Sequence, residues 1–284
     1  MNQIIETIEV KTIHAVYFSP AGATGKLTRT IAERLAVTLD CAVDTVDFTL
    51  PKDHHPVCFN ERDLVVFGMP TYAGRLPNKI QPYIRELFQG NNAQAIAVVT
   101  YGNRAYDSSL AEIVRELQGS GFRPRAGAAF PCRHVFSEKL APGRPDEGDL
   151  HLGACFAELL VDPSRDQTEP NIVLQDLPGD PVGPYYRPLG LDGQPAVFLK
   201  AKPKTDLTRC DACGICAVSC PMGAIDTADP TVVPGTCIKC QACIKKCPQK
   251  AKYFDDPAFL SHVAMLEKNY TARKEPVFFR ISCS

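Results

Sequence analysis

Eight of the chain's 13 cysteines fall into two runs of one pattern. The runs are Cys210-x2-Cys213-x2-Cys216-x3-Cys220-Pro221 and Cys237-x2-Cys240-x2-Cys243-x3-Cys247-Pro248. Three thiolates two residues apart let one tight loop wrap three corners of a cubane iron–sulfur cluster. The fourth corner must be reached from elsewhere in the chain, and the x3-Cys-Pro step supplies that reach. Pro221 and Pro248 each remove a backbone donor and help end the loop. C-x2-C pairs are also a zinc spacing, but zinc needs neither the third cysteine of each run nor the matched Cys-Pro. A disulfide framework is less apt still, because the start Met1-Asn2-Gln3-Ile4-Ile5-Glu6 carries acid where a secretory signal is basic. The chemistry indicated is one-electron transfer.

The two runs resemble those of bacterial two-cluster ferredoxins. That resemblance implies two 4Fe–4S clusters with exchanged fourth ligands. One cluster would take Cys210, Cys213, Cys216 and Cys247; the other Cys237, Cys240, Cys243 and Cys220. A second chemistry-bearing stretch is the turn Ser19-Pro20-Ala21-Gly22-Ala23-Thr24, which leads straight into a helical pattern. Hydroxyls and small residues at a helix N-terminus suit an anion, because free N–H groups and the helix dipole face it. A Walker A loop fails at both ends, with Pro20 for its first glycine and Leu27 for its closing hydroxyl. The dinucleotide fingerprint G-x-G-x-x-G is absent.

These residues need a scaffold. Residues 13 to about 160 alternate strand and helix. Strands are expected at Ile13–Phe18, Ala42–Phe48, Leu64–Gly68 (apolar throughout, so central), Ala95–Thr100 and within Arg123–Phe130. Helices are expected from about Thr24 to Leu39, from Pro77 to about Gln89, from Ser108 to Leu117, and from Pro145-Asp146-Glu147 onward. Such alternation predicts an α/β, doubly wound parallel sheet. Residues 163–204, rich in proline and glycine, read as an irregular connector, followed by the cluster unit at 205–255. A helix from Pro257 to about Asn269 and an apolar tail at Val277–Ile281 are expected to dock on the domains within 256–284.

The first turn resembles the phosphate loop of flavodoxins, Ser/Thr-x-Thr-Gly-x-Thr: Ser19, Gly22 and Thr24 match, while Ala21 lacks the expected hydroxyl. With Tyr101-Gly102-Asn103-Arg104, Gly143-Arg144-Pro145-Asp146-Glu147 and both cysteine runs, most of the chain resembles flavodoxin–ferredoxin fusion proteins of anaerobic bacteria. The resemblance implies a five-stranded flavodoxin-like sheet of order 2-1-3-4-5 over 1–162, with a small α+β ferredoxin domain behind it. It also implies FMN at the carboxyl ends of strands one, three and four. Ser19, Gly22, Ala23 and Thr24 would bind its phosphate. Pro70, Thr71, Tyr72 and Gly74 would flank the ring on one side, and Tyr101, Gly102, Asn103 and Tyr106 on the other. With no tryptophan in the chain, any stacking falls to Tyr72, Tyr101 or Tyr106. His134, with Arg104, is a candidate for catalysis at the ring edge, since histidine titrates near neutrality; Cys132 lies two residues before it.

Composition adds limits. The formal net charge of −1 and 22% charged residues are ordinary for a globular protein and give no sign of nucleic-acid binding. No run of apolar residues approaches a membrane span, and a cytoplasmic location is expected. Two loaded cubanes would add about −4 to the net charge. Lys239, Lys245, Lys246, Lys250 and Lys252 around the second run either offset that charge or mark a docking face. Cys41, Cys58, Cys132, Cys155 and Cys283 read as small apolar core residues. Together these features predict electron transfer between clusters and FMN within one chain, with redox proteins as partners. The alternatives are a ferredoxin-dependent reductase of a small acceptor, such as a quinone or activated alkene, and a redox or oxygen sensor. The oligomeric state stays open, a homodimer included.

Overall fold

In the computed structural model, residues 4–5, 10–162, 174–177 and 182–281 are described. The apolar runs near 64 and 95 lie in the middle of a parallel sheet, where helices cover both faces. Its strands are β1 (Thr12–Tyr17), β2 (Ala42–Asp47), β3 (Asp63–Pro70), β4 (Gln94–Tyr101) and β5 (Arg123–Pro131). All five pair in parallel, in the order β2-β1-β3-β4-β5. That is the flavodoxin-like winding, whose switch point lies between β1 and β3.

Helices α1 (Ala23–Leu39) and α4 (Glu147–Val161) cover one face. There Leu27, Ile31, Leu35, Phe156 and Leu160 pack on Ile13, Leu64, Ile96 and Phe130. Helices α2 (Tyr83–Leu87) and α3 (Ser109–Gly119) cover the other, with Ile84, Leu110, Ile113 and Leu117 against Phe67, Phe88 and Val99. Each fully buried side chain of this size contributes about 1.5–3 kcal/mol. The capping box between Asp146 and Asp149 starts α4 as the acids in its first turn predict. The helix expected from Pro77 forms only at Tyr83–Leu87, because Pro82 interrupts it, lacking an N–H and clashing with the preceding turn. Phe88-Gln89 instead makes a short parallel pair with Val57-Cys58.

Two strands from later in the chain widen the expected five-stranded sheet to seven. These are β6 (Leu174–Asp176) and the tail strand β9 (Val277–Arg280). The tail pairs antiparallel with β5, and β6 pairs parallel with the tail. The tail's Phe278 sits between Phe130 and Phe156, at ring-centroid distances of 5.7 and 4.9 Å. Of the connector, residues 163–173 and 178–181 lie outside the described residues, as does Cys283. Its described part lies on the sheet's loop end: Tyr186 N–H donates to Ala73 O at 2.8 Å and Tyr185 Oη to Leu76 O at 2.8 Å.

The cluster region is built from two four-residue helices, α5 (Ile215–Val218) and α6 (Ala242–Lys245), with an antiparallel pair, β7 (Lys204–Thr205) and β8 (Lys252–Tyr253). Helix α7 (Pro257–Asn269) follows, capped by the Asp256 carboxylate, which accepts from Phe259 N–H at 2.9 Å. Among the described residues no helix is long and apolar enough to cross a membrane.

Candidate redox site

Both cysteine runs fold into the same local shape. Ala212 and Gly214 in the first run, and Lys239 and Gln241 in the second, have positive φ, at 56°, 73°, 59° and 63°. Left-handed residues alternating with right-handed ones turn successive N–H groups inward, a concavity suited to anionic centres. Three N–H groups already point at sulfur: Lys239 to Cys237 at 3.4 Å, Ala224 to Cys220 at 3.3 Å and Ala251 to Cys247 at 3.2 Å.

The thiols ring two cavities. Cys210, Cys213, Cys216 and Cys247 line one. Cys220, Cys237, Cys240 and Cys243 line the other. No three His, Cys, Asp or Glu donors among the described residues draw together on one metal ion. Burial raises the thiol pKa of Cys216, Cys237 and Cys240 and pushes Cys243 up to about 12, so binding a metal centre releases protons. Lys252, 3% exposed, lines the first cavity, and its charge acts on both Cys216 and Cys243. Its ammonium donates to Thr205 Oγ1 at 2.8 Å and to Pro230 O. Buried Gln241 Nε2, in the wall of the second cavity, and Ser219 Oγ lack a protein partner. Unpaired donors of this kind suit a cluster's anionic sulfides.

The three loops expected to meet at the sheet's switch point do meet. Ser19 Oγ accepts from Gly25 N–H at 2.9 Å, which leaves its own proton free to give. Gly22 enters α1 at φ 92°, and the first-turn N–H groups of Ala23 and Thr24 have no partner inside the helix. The Thr24 hydroxyl turns inward instead, meeting Thr100 Oγ1 at 2.7 Å and tying the first loop to β4. In the second loop, after Pro70, Thr71 N–H donates to Thr100 O at 2.7 Å. Tyr72–Arg75 then closes a turn with positive φ at Ala73 and Gly74, a type I′ turn. A Cβ on Gly74 would stand 2.2 Å from Asp107 Oδ2, so this turn and the third loop touch through a glycine. The Tyr72 phenol is desolvated, which raises its pKa well above the usual value, and the Cys240 and Cys237 thiols are close enough to add to that shift.

The residues expected beside the ring also make contacts within the chain. Asn103, at φ 66° and fully buried, spends its amide on the tail, donating to Tyr270 O at 2.7 Å and Ala272 O at 2.9 Å. Only its buried Oδ1 lacks a partner. Tyr101, 5% exposed, is a core residue, its phenol pushed up to about 12 by burial; Tyr106 packs on it at 5.6 Å. Arg104 is held by Asp107 and lies 3.9 Å over the Tyr186 ring. His134 backs Gly102, where an added Cβ would meet its ring at 2.3 Å, and its Nδ1 accepts from Phe136 N–H at 3.1 Å. Burial, with His262, Arg104 and Lys245 nearby, pushes its pKa down to about 3, so at neutral pH it is an uncharged packing residue.

Cys132 is likewise a buried thiol, raised by burial and distant in chemistry from an exposed nucleophile. Cys41 and Cys155 pack on the core, whereas Cys58 is exposed. Of the five lysines, Lys239 reaches Leu199 O at 2.7 Å, Lys245 pairs with Glu138 at 3.4 Å, and Lys252 is buried. That leaves Lys246 and Lys250 exposed, too few for a basic docking face. Sequence reasoning missed the Asn103 clamp and the cluster-facing position of Tyr72, since neither has a local signal.

Residues 203–226, which include the first cysteine run, match the family described as a 4Fe-4S binding domain. No curated protein matches the chain. Solved structures similar to it include a Streptococcus pneumonia TIGR4 flavodoxin, at 18% identity over 52% of this chain and 97% of that one, with a TM-score of 0.38. A flavodoxin from the domain Archaea is 15% identical over 56% and 100% of the two chains, with a TM-score of 0.36. An NADH:FMN oxidoreductase is 15% identical over 54% and 91%, with a TM-score of 0.38. The fold assignment rests on the strand order rather than on these likenesses. The chain therefore joins a flavodoxin-like α/β domain to a segment of the 4Fe–4S binding type, and its role is in redox chemistry.

Proposed function

We propose that this chain is an electron-transfer protein, in which two 4Fe–4S clusters held by the paired cysteine runs exchange electrons with FMN held by the three switch-point loops. The observation that carries the reading is the division of the eight thiols. Each cavity is lined by three cysteines of one run and the last cysteine of the other. Bound clusters carry one electron each, while a bound flavin accepts one or two.

The chain's own residues bind, orient and insulate. The exposed Ala21-Gly22 turn, the Ser19 proton and the free N–H groups of α1 suit a phosphate. The Tyr72–Arg75 turn is held from behind by Arg75, whose guanidinium donates to both Glu112 oxygens, at 2.8 and 2.5 Å. A turn so fixed presents Tyr72 to a ring without cost in ordering. Lys252 supplies a fixed positive charge that offsets the clusters' negative charge.

The two side chains suited to acid–base work at a ring edge are engaged within the chain. Arg104 is paired and His134 is uncharged, which favours a carrier over a reductase. Anaerobic purification of the full chain with an iron and flavin count is the first test, expected at about eight irons and one FMN. A stopped-flow survey of acceptors follows. Faster reoxidation by a quinone or alkene than by carrier proteins would replace the carrier reading with the reductase.

A further inference from the structure

Building on that reading, we infer that the two cluster seats have a fixed order. The cavity ringed by Cys220, Cys237, Cys240 and Cys243 is the inner seat, beside the flavin loops. The cavity ringed by Cys210, Cys213, Cys216 and Cys247 is the outer seat, where a one-electron carrier protein exchanges its electron.

Three observations set the order. Met222 and Ile238 line the second cavity and also pack against the apolar core of the α/β domain. Tyr72, in the second flavin loop, stands within electrostatic reach of Cys237 and Cys240, two of that cavity's four thiols. The neighbouring helix α6 is tied across by Lys245 to Glu138 of the α/β domain at 3.4 Å.

Among the described residues, the first cavity has none of these links. The side-chain bonds of its wall stay inside the cluster region, Lys252 to Thr205 at 2.8 Å and Gln249 to Asp211 at 3.0 Å. Its Cys213 is exposed, as is the wall residue Ile215 (39%); Leu207 (73%) and Val218 (68%), in the same stretch of chain, are exposed as well. Between the two seats, Cys216, Cys220 and Cys243 share one small apolar cluster with Ala217 and Ile225. The seats are thus neighbours, with one against the flavin loops and one at the surface. A carrier docking at the outer seat gives up one electron, the outer seat gains one, and no proton or atom need move with it. Tyr72 is a positioning residue here, filling the space between the inner seat and the ring.

The test uses the full chain reconstituted anaerobically with iron, sulfide and FMN, and followed by redox titration with electron paramagnetic resonance of the two clusters. Tyr72→Leu is expected to move one cluster's reduction equilibrium by threefold to tenfold, up to ~59 mV, and to weaken FMN binding, while Tyr72→Phe restores both. Cys213→Ser is expected to delete the other, unmoved cluster. Stripping iron from wild-type protein with bathophenanthroline disulfonate needs no variant, and it is expected to remove that same unmoved cluster first. The order is overturned if Tyr72→Leu moves the cluster that Cys213→Ser or the chelator removes, or moves neither. A reconstituted chain with no FMN is a different failure, read from the flavin count alone. It sinks the proposed function and the order with it.

Discussion

Gly68 lacks a side chain because Thr28 of α1 occupies the space: a Cβ there would lie 1.9 Å from Thr28 Oγ1. The helix that opens at the candidate phosphate loop is thus seated directly on β3. Gly68→Ala is expected to cost about 1–3 kcal/mol of stability, as overpacking does, and Gly68→Ala with Thr28→Ala to recover part of it, both read from thermal melts. His134 supplies a second residue-scale prediction. Its folded pKa, near 3, lies below the unfolded value of about 6.5. The unfolded chain therefore takes up the proton first. The stability this represents is present above pH 6.5 and is lost as pH falls toward 3. Imidazole nitrogen resonances of His134 are expected not to titrate between pH 5 and 8, and a midpoint in that range would return it to the candidate proton donors.

At the scale of elements, the tail is a working part of the α/β domain. Strand β9 completes the sheet beyond β5, and Phe278 fills the gap between Phe130 and Phe156. Just before it, Arg273 donates to Asp146 at 2.9 Å, and Lys274 O accepts from Arg144 at 2.5 Å. Asn103, from the third switch-point loop, holds the backbone at 270 and 272. Phe278→Ala is expected to cost about 3–5 kcal/mol. The same change should loosen FMN, because the third loop loses the chain it is clamped to. Unchanged flavin affinity in a destabilised variant would separate the tail from the loop.

For the whole molecule, the exchanged cysteines join the halves of the cluster region, since each cavity draws on both runs. Cys247→Ser is expected to remove about half of the iron and to leave a cluster with the Tyr72 sensitivity intact. Cys220→Ser should remove the other half. Iron analysis with electron paramagnetic resonance separates these results from the alternative, in which each run keeps its own four thiols. In that case Cys247→Ser would destroy the cluster beside Tyr72.

Much of this was legible in the residues alone. Alternating apolar runs and helical periods mark strands and helices wherever burial on both faces imposes them, as at 64–67 and 95–99. The cysteine spacing dictates redox chemistry, because a local loop must present three thiols at once. Local signals failed where a competing residue intervened, as Pro82 did inside the expected helix. They failed too where the partner lies far along the chain. Nothing near Arg104, Asn103 or His134 says that their side chains meet Tyr186, the tail and Gly102. Nothing near Tyr72 places it beside Cys237 and Cys240. The sequence by itself determined the chemistry, the fold class and the ligand-type loops, all set by neighbours a few residues apart. Only the tertiary structure decided which cysteine-lined cavity lies against the α/β domain and which side chains remain free to act, because burial and pairing between segments tens to more than a hundred residues apart are consequences of packing.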